Sequence, residues 1–216
     1  MLKVWGRRSS FNVQKVMWLV GELDLAHEHI DAGGRFGGLD TPEFLAMNPH
    51  GRVPVIRDDD TTVWESHAIL RYLAARYGAK RFWSNDPVAR ARVDGWMDWS
   101  HTALQPDFLV GVFWGFYRTP EDKRKWPAIR ASLARSASHF TKLDRLLEGR
   151  AFLLGDALTL ADITAGTSLY RYFELEIERP RLVQVERWYR ALREREAFRT
   201  HIMIPFGELR GRLLDA

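Results

Sequence analysis

Ser9-Ser10-Phe11-Asn12-Val13-Gln14-Lys15 lies between a short β-like run, Leu2–Trp5, and a helical pattern of apolar residues that begins at Val16. Small hydroxyl residues at a strand-to-helix turn have two uses. Their oxygens cap the first free N–H groups of the helix, or they contribute to an anion site that the helix dipole favours. An isolated Ser-Ser pair is more often a plain cap, so the choice depends on the rest of the chain.

The elements after this stretch predict an α/β domain. Residues 12–24 predict a helix and 27–30 a second strand, which together with the first strand form a βαβ unit with parallel strands. The runs 55–57 and 61–64 flank three aspartates and predict a hairpin. A further helix is expected to begin at Glu65-Ser66.

The chain changes character near residue 78. Residues 78–85 lack a clear period and predict a linker, whereas the chain beyond them is helical. The helices are expected from Asp86-Pro87 to near Pro106, over 108–117, over 127–147, from Thr159 onward and over 182–195. Two domains are therefore expected, at residues 1–78 and 86–216.

Composition narrows the classes of function. The 216 residues are 46% hydrophobic and 28% charged, as in an ordinary soluble globular protein. The 32 basic residues are spread among 28 acidic ones, so no nucleic-acid surface is expected. Because there is no cysteine, any sulfur chemistry has to use sulfur that a ligand supplies.

Targeting and metal signals are not found in the sequence. The N-terminus has no apolar signal region and no apolar run is long enough for a membrane span, so a cytosolic location is expected. The seven histidines are scattered without ligand spacing, so no metal is predicted.

Asn48–Pro54 is the second informative stretch. Pro54 stands at the start of a strand, where its missing N–H needs a reason. One explanation is a cis Val53–Pro54 bond, which turns the Val53 backbone toward a ligand, and the other is a trans proline that begins an edge strand. From the residues alone the trans form is the more frequent. Glu65-Ser66 adds polar groups and free N–H donors at a helix start.

Four motifs in this order and spacing resemble the cytosolic glutathione S-transferases over nearly the whole chain. They are Ser10-Phe11-Asn12, Asn48–Pro54, Glu65-Ser66 and Leu158-Thr159-Leu160-Ala161-Asp162. The resemblance is to bacterial serine-type members, similar to the theta, beta and nu classes, since no tyrosine precedes residue 72. It implies a thioredoxin-like N-terminal domain with a four-stranded mixed sheet, which binds glutathione, and an all-helical C-terminal domain, which forms the electrophile site.

The resemblance also implies roles for individual residues. Ser10 falls at the activating hydroxyl, Asn12 is its helper, and Ser9 stays open as the alternative because Phe11 replaces a common proline. The glutathione contacts are implied for Arg52, Val53, Pro54, Glu65, Ser66 and His50. The Val53 backbone would pair with the cysteinyl part, Glu65 and Ser66 would hold the γ-glutamyl end, and Arg52 with His50 would face the glycine carboxylate. Thr159 and Asp162 are implied to serve folding.

The expected function is transfer of glutathione, as co-substrate, to small hydrophobic electrophiles in detoxification. The Ser10 hydroxyl would donate a hydrogen bond to the thiolate. The electrophile wall is expected to include aromatic residues for which core packing is an equal alternative: Phe11, Trp99, Phe113, Trp114 and Tyr117. A homodimer is implied. A glutathione-dependent isomerase or peroxidase, and a non-catalytic glutathione-fold binding module, stay open.

Overall fold

Strand β1, Leu2–Trp5, occupies an inner position of a four-stranded sheet in the computed structural model of the chain, which describes residues 1–78 and 81–213. The other strands are β2 His27–Ile30, β3 Val55–Asp58 and β4 Thr61–Trp64. The order is β2-β1-β3-β4, with β1 parallel to β2 and antiparallel to β3, and with β3 antiparallel to β4. The predicted βαβ unit, the hairpin and the mixed sheet are confirmed.

Three helices accompany the sheet within the first 78 residues. They are α1 Phe11–Glu22, α2 Pro42–Met47 and α3 Ser66–Tyr77. Helix α2 begins at Pro42, because the Thr41 hydroxyl accepts a hydrogen bond from the Phe44 N–H at 3.3 Å and Pro42 occupies the first turn. Helix α1 is buried on nearly every side from Val13 to Val20, which is typical of a helix covered by more than one neighbour.

A C-terminal helix, α9 (Glu196–His201), covers the remaining side of α1. Residues 196–204 group with residues 1–85 as one compact unit, and the rest of the chain forms a second unit. The rings of Trp18 and Phe198 meet edge to face at 4.8 Å, and a Cβ at Gly21 would stand 2.9 Å from the Ala197 Cβ. The sequence did not indicate this helix, because six residues are too few to show a helical period.

The second unit is built of helices. They are α4 Pro87–Trp99, a π-helix Ser100–Arg118, α5 Trp126–Leu146, α6 Leu160–Gly166, α7 Leu169–Glu174 and α8 Val183–Arg193. Single turns of 3₁₀ helix occur in this unit at Glu121–Lys123 and Gly207–Leu209, and in the first unit at Gly34–Phe36. The predicted start at Asp86-Pro87 is confirmed, since the Asp86 carboxylate accepts hydrogen bonds from the N–H groups of Val88 and Ala89.

The expected helix end near Pro106 is wrong. Helix α4 runs directly into the π-helix, and Pro106 lies inside it. Proline removes one N–H donor and its ring collides with a carbonyl of the preceding turn in a regular α-helix. The wider π turn, seen where the Thr119 N–H donates to the Trp114 carbonyl five residues back, continues the helix without that regular spacing.

The predicted capping box at the start of α6 is confirmed. The Asp162 carboxylate accepts hydrogen bonds from the N–H and the hydroxyl of Thr159, both at 2.9 Å, and from the Leu153 N–H at 2.8 Å. Asp162 is fully buried, so this one side chain fixes both the helix start and the preceding loop.

Substitution of Asp162 by alanine is expected to lower the free energy of unfolding by about 3 kcal/mol, because it leaves buried donors without an acceptor. Chemical denaturation measures the loss. The matched control is Asp156→Ala, which removes an exposed aspartate from the same loop and should change the free energy by less than about 0.5 kcal/mol. Equal losses in both variants would contradict the role of Asp162.

Candidate functional site

Three chain segments come together at one edge of the sheet. Trp5 at the end of β1 pairs with Val55 at the start of β3, and Val55 pairs with Trp64 at the end of β4. The residues just outside these strand ends therefore meet there: the turn into α1, the Val53–Pro54 peptide and the start of α3. Three of the four motifs quoted from the sequence thus share one location in the first unit, whereas Leu158–Asp162 lies in the second unit.

Gly6 brings two of these segments into contact. Its φ of +148° is a backbone conformation that glycine adopts readily. A Cβ at this position would collide with Val13 of α1 and stand 3.1 Å from the Val53 Cβ. The Gly6 N–H donates to the Ile30 carbonyl at 2.9 Å, and the His29 ring donates to the Gly6 carbonyl at 2.6 Å. No side chain fits between the end of β1, the first turn of α1 and Val53.

Ser10 is the cap residue of α1, with its backbone carbonyl accepting from the Gln14 N–H at 2.9 Å. Its hydroxyl makes no capping hydrogen bond, so of the two uses left open from the sequence the side-chain cap is not seen at this serine. Within the described chain the Ser10 side chain has no hydrogen-bond partner, whereas Ser9 interacts with another group of the chain. Both serines are largely buried, and Ser10 is 9% exposed.

Asn12 stands in the first turn of α1 and is half-buried. Its side-chain oxygen is buried and, among the described residues, has no hydrogen-bond partner. A buried polar atom of this kind is uncommon and points to a group that the protein alone does not provide.

The Val53–Pro54 bond is cis, and Val53 itself is half-buried at the sheet edge. Neither the N–H nor the C=O of Val53 forms a backbone hydrogen bond with another described residue. These two groups are therefore open to an extended ligand that adds to the sheet in the manner of a strand.

Asn48, to which no role was assigned from the sequence, holds the loop before Val53. Its side-chain N–H donates to the Arg52 carbonyl at 2.8 Å, and its side-chain oxygen accepts from the His50 N–H at 3.1 Å. Asn48 is buried, while the side chains of Arg52 and His50 are exposed, and the His50 ring lies 5.2 Å from that of Trp64. The loop therefore presents two basic side chains from one fixed anchor.

Glu65 and Ser66 begin α3 in an unusual conformation. Glu65 has φ +67° and ψ 118°, which side-chain-bearing residues rarely adopt and which costs about 1–3 kcal/mol. Ser66 is the first residue of the helix and is 3% exposed, whereas Glu65 is exposed. The strained backbone leaves the first N–H groups of α3 at the sheet edge.

Lys15 was missed as a member of the site. It is 0% exposed, and its Nζ lies 3.2 Å from Nε2 of His67 and 4.9 Å from the centre of the Phe11 ring. Burial lowers the pKa of Lys15 to about 7, and the charge of Glu65 opposes this only in part. His67 is itself buried against it. The signal in the sequence that could have revealed this residue is a lysine within a helix that is apolar on all sides.

The aromatic residues expected at the electrophile wall divide by exposure. Phe113 is fully buried in the helical unit, stacked on Tyr117 at 5.4 Å and meeting Phe206 at 5.3 Å. Trp99, Trp114 and Tyr117 are partly exposed in the same unit. Phe11 belongs to the first unit and is 5% exposed. Their contact with an electrophile stays a prediction.

Metal-binding clusters and membrane-spanning helices are both absent from residues 1–78 and 81–213. No group of three or more His, Cys, Asp or Glu side chains there is arranged to hold a metal ion. No helix in those ranges is long and apolar enough to cross a membrane.

A mixed sheet with a cis-proline before β3, followed by a helical unit, defines a protein with a thioredoxin-like N-terminal domain. Two family models then match the chain, the glutathione S-transferase N-terminal domain over residues 5–81 and the glutathione S-transferase C-terminal domain over residues 106–196. The chain belongs to the glutathione S-transferase family. The family, the fold and the enzyme class predicted from the sequence are confirmed.

The chain is 41% identical to the glutathione S-transferase GstB of Escherichia coli strain K12 over 207 residues, which cover 95% of this chain and 99% of that protein. It is also similar to a crystal structure of the theta class glutathione S-transferase from the citrus canker pathogen Xanthomonas axonopodis pv. citri with glutathione bound. That match has a TM-score of 0.89 and 40% identity, and covers 94% of this chain and 98% of the other. Human glutathione S-transferase theta-1 is 36% identical over 132 residues, covering 58% of this chain and 54% of that protein.

Replacement of Glu65 by glycine is expected to raise the free energy of unfolding by about 1 kcal/mol, because glycine adopts a positive φ without strain. Thermal or chemical denaturation measures this gain. Glu65→Ala keeps the Cβ and the strain while removing the same carboxylate, so it serves as the matched control. A loss of stability in the glycine variant relative to the alanine variant would contradict the strain.

Substitution of Lys15 by methionine is expected to stabilise the protein most at neutral pH. The unfolded chain binds the Lys15 proton below about pH 10.5, whereas the folded chain binds it only below about pH 7. Wild-type stability therefore falls as pH drops between these values, and the gap to the variant widens by on the order of 4 kcal/mol. Denaturation at about pH 10 and pH 7 measures it. Lys3→Met, at a surface ion pair with Glu28, should show no such widening.

Proposed function

We propose that this chain binds glutathione at the sheet edge of its first unit and that the Ser10 hydroxyl stabilises the glutathione thiolate for attack on small hydrophobic electrophiles. The observation that carries the proposal is the Ser10 hydroxyl, which belongs to a largely buried residue and has no hydrogen-bond partner in the described chain. Family membership supports the ligand. One similar solved structure is described with glutathione bound.

Ser10 acts as a hydrogen-bond donor rather than as a base. A free thiol is mostly protonated at neutral pH, and its thiolate is the nucleophile. The Ser10 O–H donates to the sulfur anion, and the N-terminus of α1 adds partial positive charge. A thiol pKa lowered by about two units needs about 2.7 kcal/mol, which these two contributions supply. Asn12, whose side-chain oxygen is buried and has no hydrogen-bond partner among the described residues, assists in the same turn.

The remaining contacts follow the length of the tripeptide. The free N–H and C=O of Val53, beside Pro54, pair with the cysteinyl residue in the manner of a strand. Ser66 and the first N–H groups of α3, with Glu65, hold the zwitterionic γ-glutamyl end. The exposed Arg52 and His50 attract the glycine carboxylate.

The helical unit is proposed to supply the electrophile contacts. Trp99, Trp114 and Tyr117 have exposed ring surface that suits a small hydrophobic molecule. Phe113 supports Tyr117 from inside the unit, since the two rings stack. The domain roles predicted from sequence, glutathione in the first and the electrophile in the second, are part of this proposal, as is a homodimer in the cytosol.

The thiolate also suits two other reactions. A glutathione-dependent isomerase or peroxidase would use the same Ser10 contact, and product analysis distinguishes them from a transferase, because only the transferase yields a stable thioether conjugate. A non-catalytic binding module would bind glutathione and turn over none of an electrophile panel.

Substitution of Ser10 by alanine is expected to lower kcat/KM for conjugation of a model aromatic halide about 10- to 100-fold near pH 7, because it removes one charge-assisted hydrogen bond. The loss should shrink as pH rises above the pKa of the bound thiol, which is expected to be about one to two units higher in the variant. Steady-state rates across pH give both values, and the KM for glutathione should change little.

The matched control is Ser9→Ala, which removes the neighbouring hydroxyl from the same turn. It should keep most of the wild-type rate and the wild-type pH profile. A Ser10→Ala enzyme as fast as wild type at every pH would rule out the role of Ser10. A slow Ser9→Ala enzyme with a shifted pH profile would transfer that role to Ser9.

A further inference from the structure

We propose that Lys15 is a positioning residue for the glutathione thiolate: its amine takes up a proton when the bound thiol gives one up, and the resulting ammonium stabilises the sulfur anion across the start of α1. This inference rests on the proposed function, since it needs glutathione at the sheet edge.

The Lys15 amine lies between the starts of helices α1 and α3. Side chains of an α-helix point back toward its N-terminus, so the Lys15 amine lies over the first turn of α1. Its Nζ is 4.9 Å from the centre of the Phe11 ring, next to Ser10, and 3.2 Å from Nε2 of His67, next to Ser66. Lys15 is 0% exposed, so it acts through its charge and through these neighbours, without touching the ligand.

The surroundings keep this amine close to neutrality. Burial and the positive ends of two helix dipoles disfavour the ammonium form. From α3, His67 contacts the amine and Glu65 is the acidic group that favours its charge. From α9, His201 lies against Gly21, further along α1, with its own neighbours His27, His29 and Arg8. The pKa of Lys15, about 7, therefore leaves the amine mostly uncharged at pH 8.

An anion that arrives at the start of α1 changes this balance. When the thiol ionises, its S–H bond breaks, the electron pair stays on sulfur and the proton leaves to solvent. The negative charge then favours the ammonium, so the lone pair of Nζ takes a proton from solvent and forms an N–H bond. Coupling is reciprocal, and the ammonium favours the thiolate to the same extent. The proton that the thiol loses is balanced by the proton that Nζ gains, so binding releases no net proton.

The net proton count of glutathione binding tests the proposal. Calorimetric titration in two buffers of different ionisation enthalpy, at about pH 8, gives the protons released per bound glutathione. Wild type is expected to release close to none. Lys15→Met, which cannot take up a proton, is expected to release more than about half a proton and to show a thiol pKa about one unit higher. S-methylglutathione, which has no ionisable thiol, gives the baseline that is subtracted.

Two further variants separate charge from packing. Lys15→Arg stays protonated at every working pH, so it should release close to one proton and still keep the low thiol pKa of wild type. If Lys15 had only a structural role, a substitution that changed the number of protons released would change the thiol pKa as well. Lys15→Arg also tests the proposal where Lys15→Met fails to fold. Lys3→Met, a surface lysine of the same unit, should match wild type in both measurements.

Wild type that binds glutathione and releases a whole proton, as the Lys15 variants do, would overturn the role of Lys15 and leave the proposed function standing. The proposed function fails separately, and this inference with it, where wild type shows no heat of binding with either glutathione or S-methylglutathione.

Discussion

The register of the central strands is the constraint on which the candidate site depends. Trp5 pairs with Val55 and Val55 with Trp64, so the ends of three strands coincide. In β3, Val55, Ile56 and Asp58 are buried while Arg57 is exposed. A register shift of one residue would move each of these side chains to the opposite face of the sheet. The same slip would separate Val53 from the turn into α1. The register of the sheet therefore also fixes the relative positions of the residues that are proposed to bind the ligand.

Local signals in the sequence predicted a large part of the structure. The caps at Asp86 and Thr159 depend on side chains within a few residues, and each begins a helix where expected. Family resemblance predicted where the site residues lie along the chain, and the strand pairing explains why they meet.

Tertiary context explains what the sequence did not reveal. The helix across Pro106 continues because a π turn relieves the collision that a regular turn would create. Lys15 lies in the interior because α1 is covered by both α3 and α9, and the partner of its amine, His67, is 52 residues away along the chain. Asn48 becomes an anchor only once the loop folds back on its side chain. A contact as distant along the chain as that between Lys15 and His67 leaves no period or spacing to detect.

The return of residues 196–204 to the first unit bears on how this chain is made. Ribosomes deliver a chain from its N-terminus, and domains generally fold in that order as they emerge. Here the surface of α1 that includes Trp18 and Gly21 receives its cover, Phe198 and Ala197, only after the residues of the helical unit have been synthesised. The first unit is begun first but is completed only near the end of synthesis, and a nascent chain carries an uncovered tryptophan face for most of its synthesis.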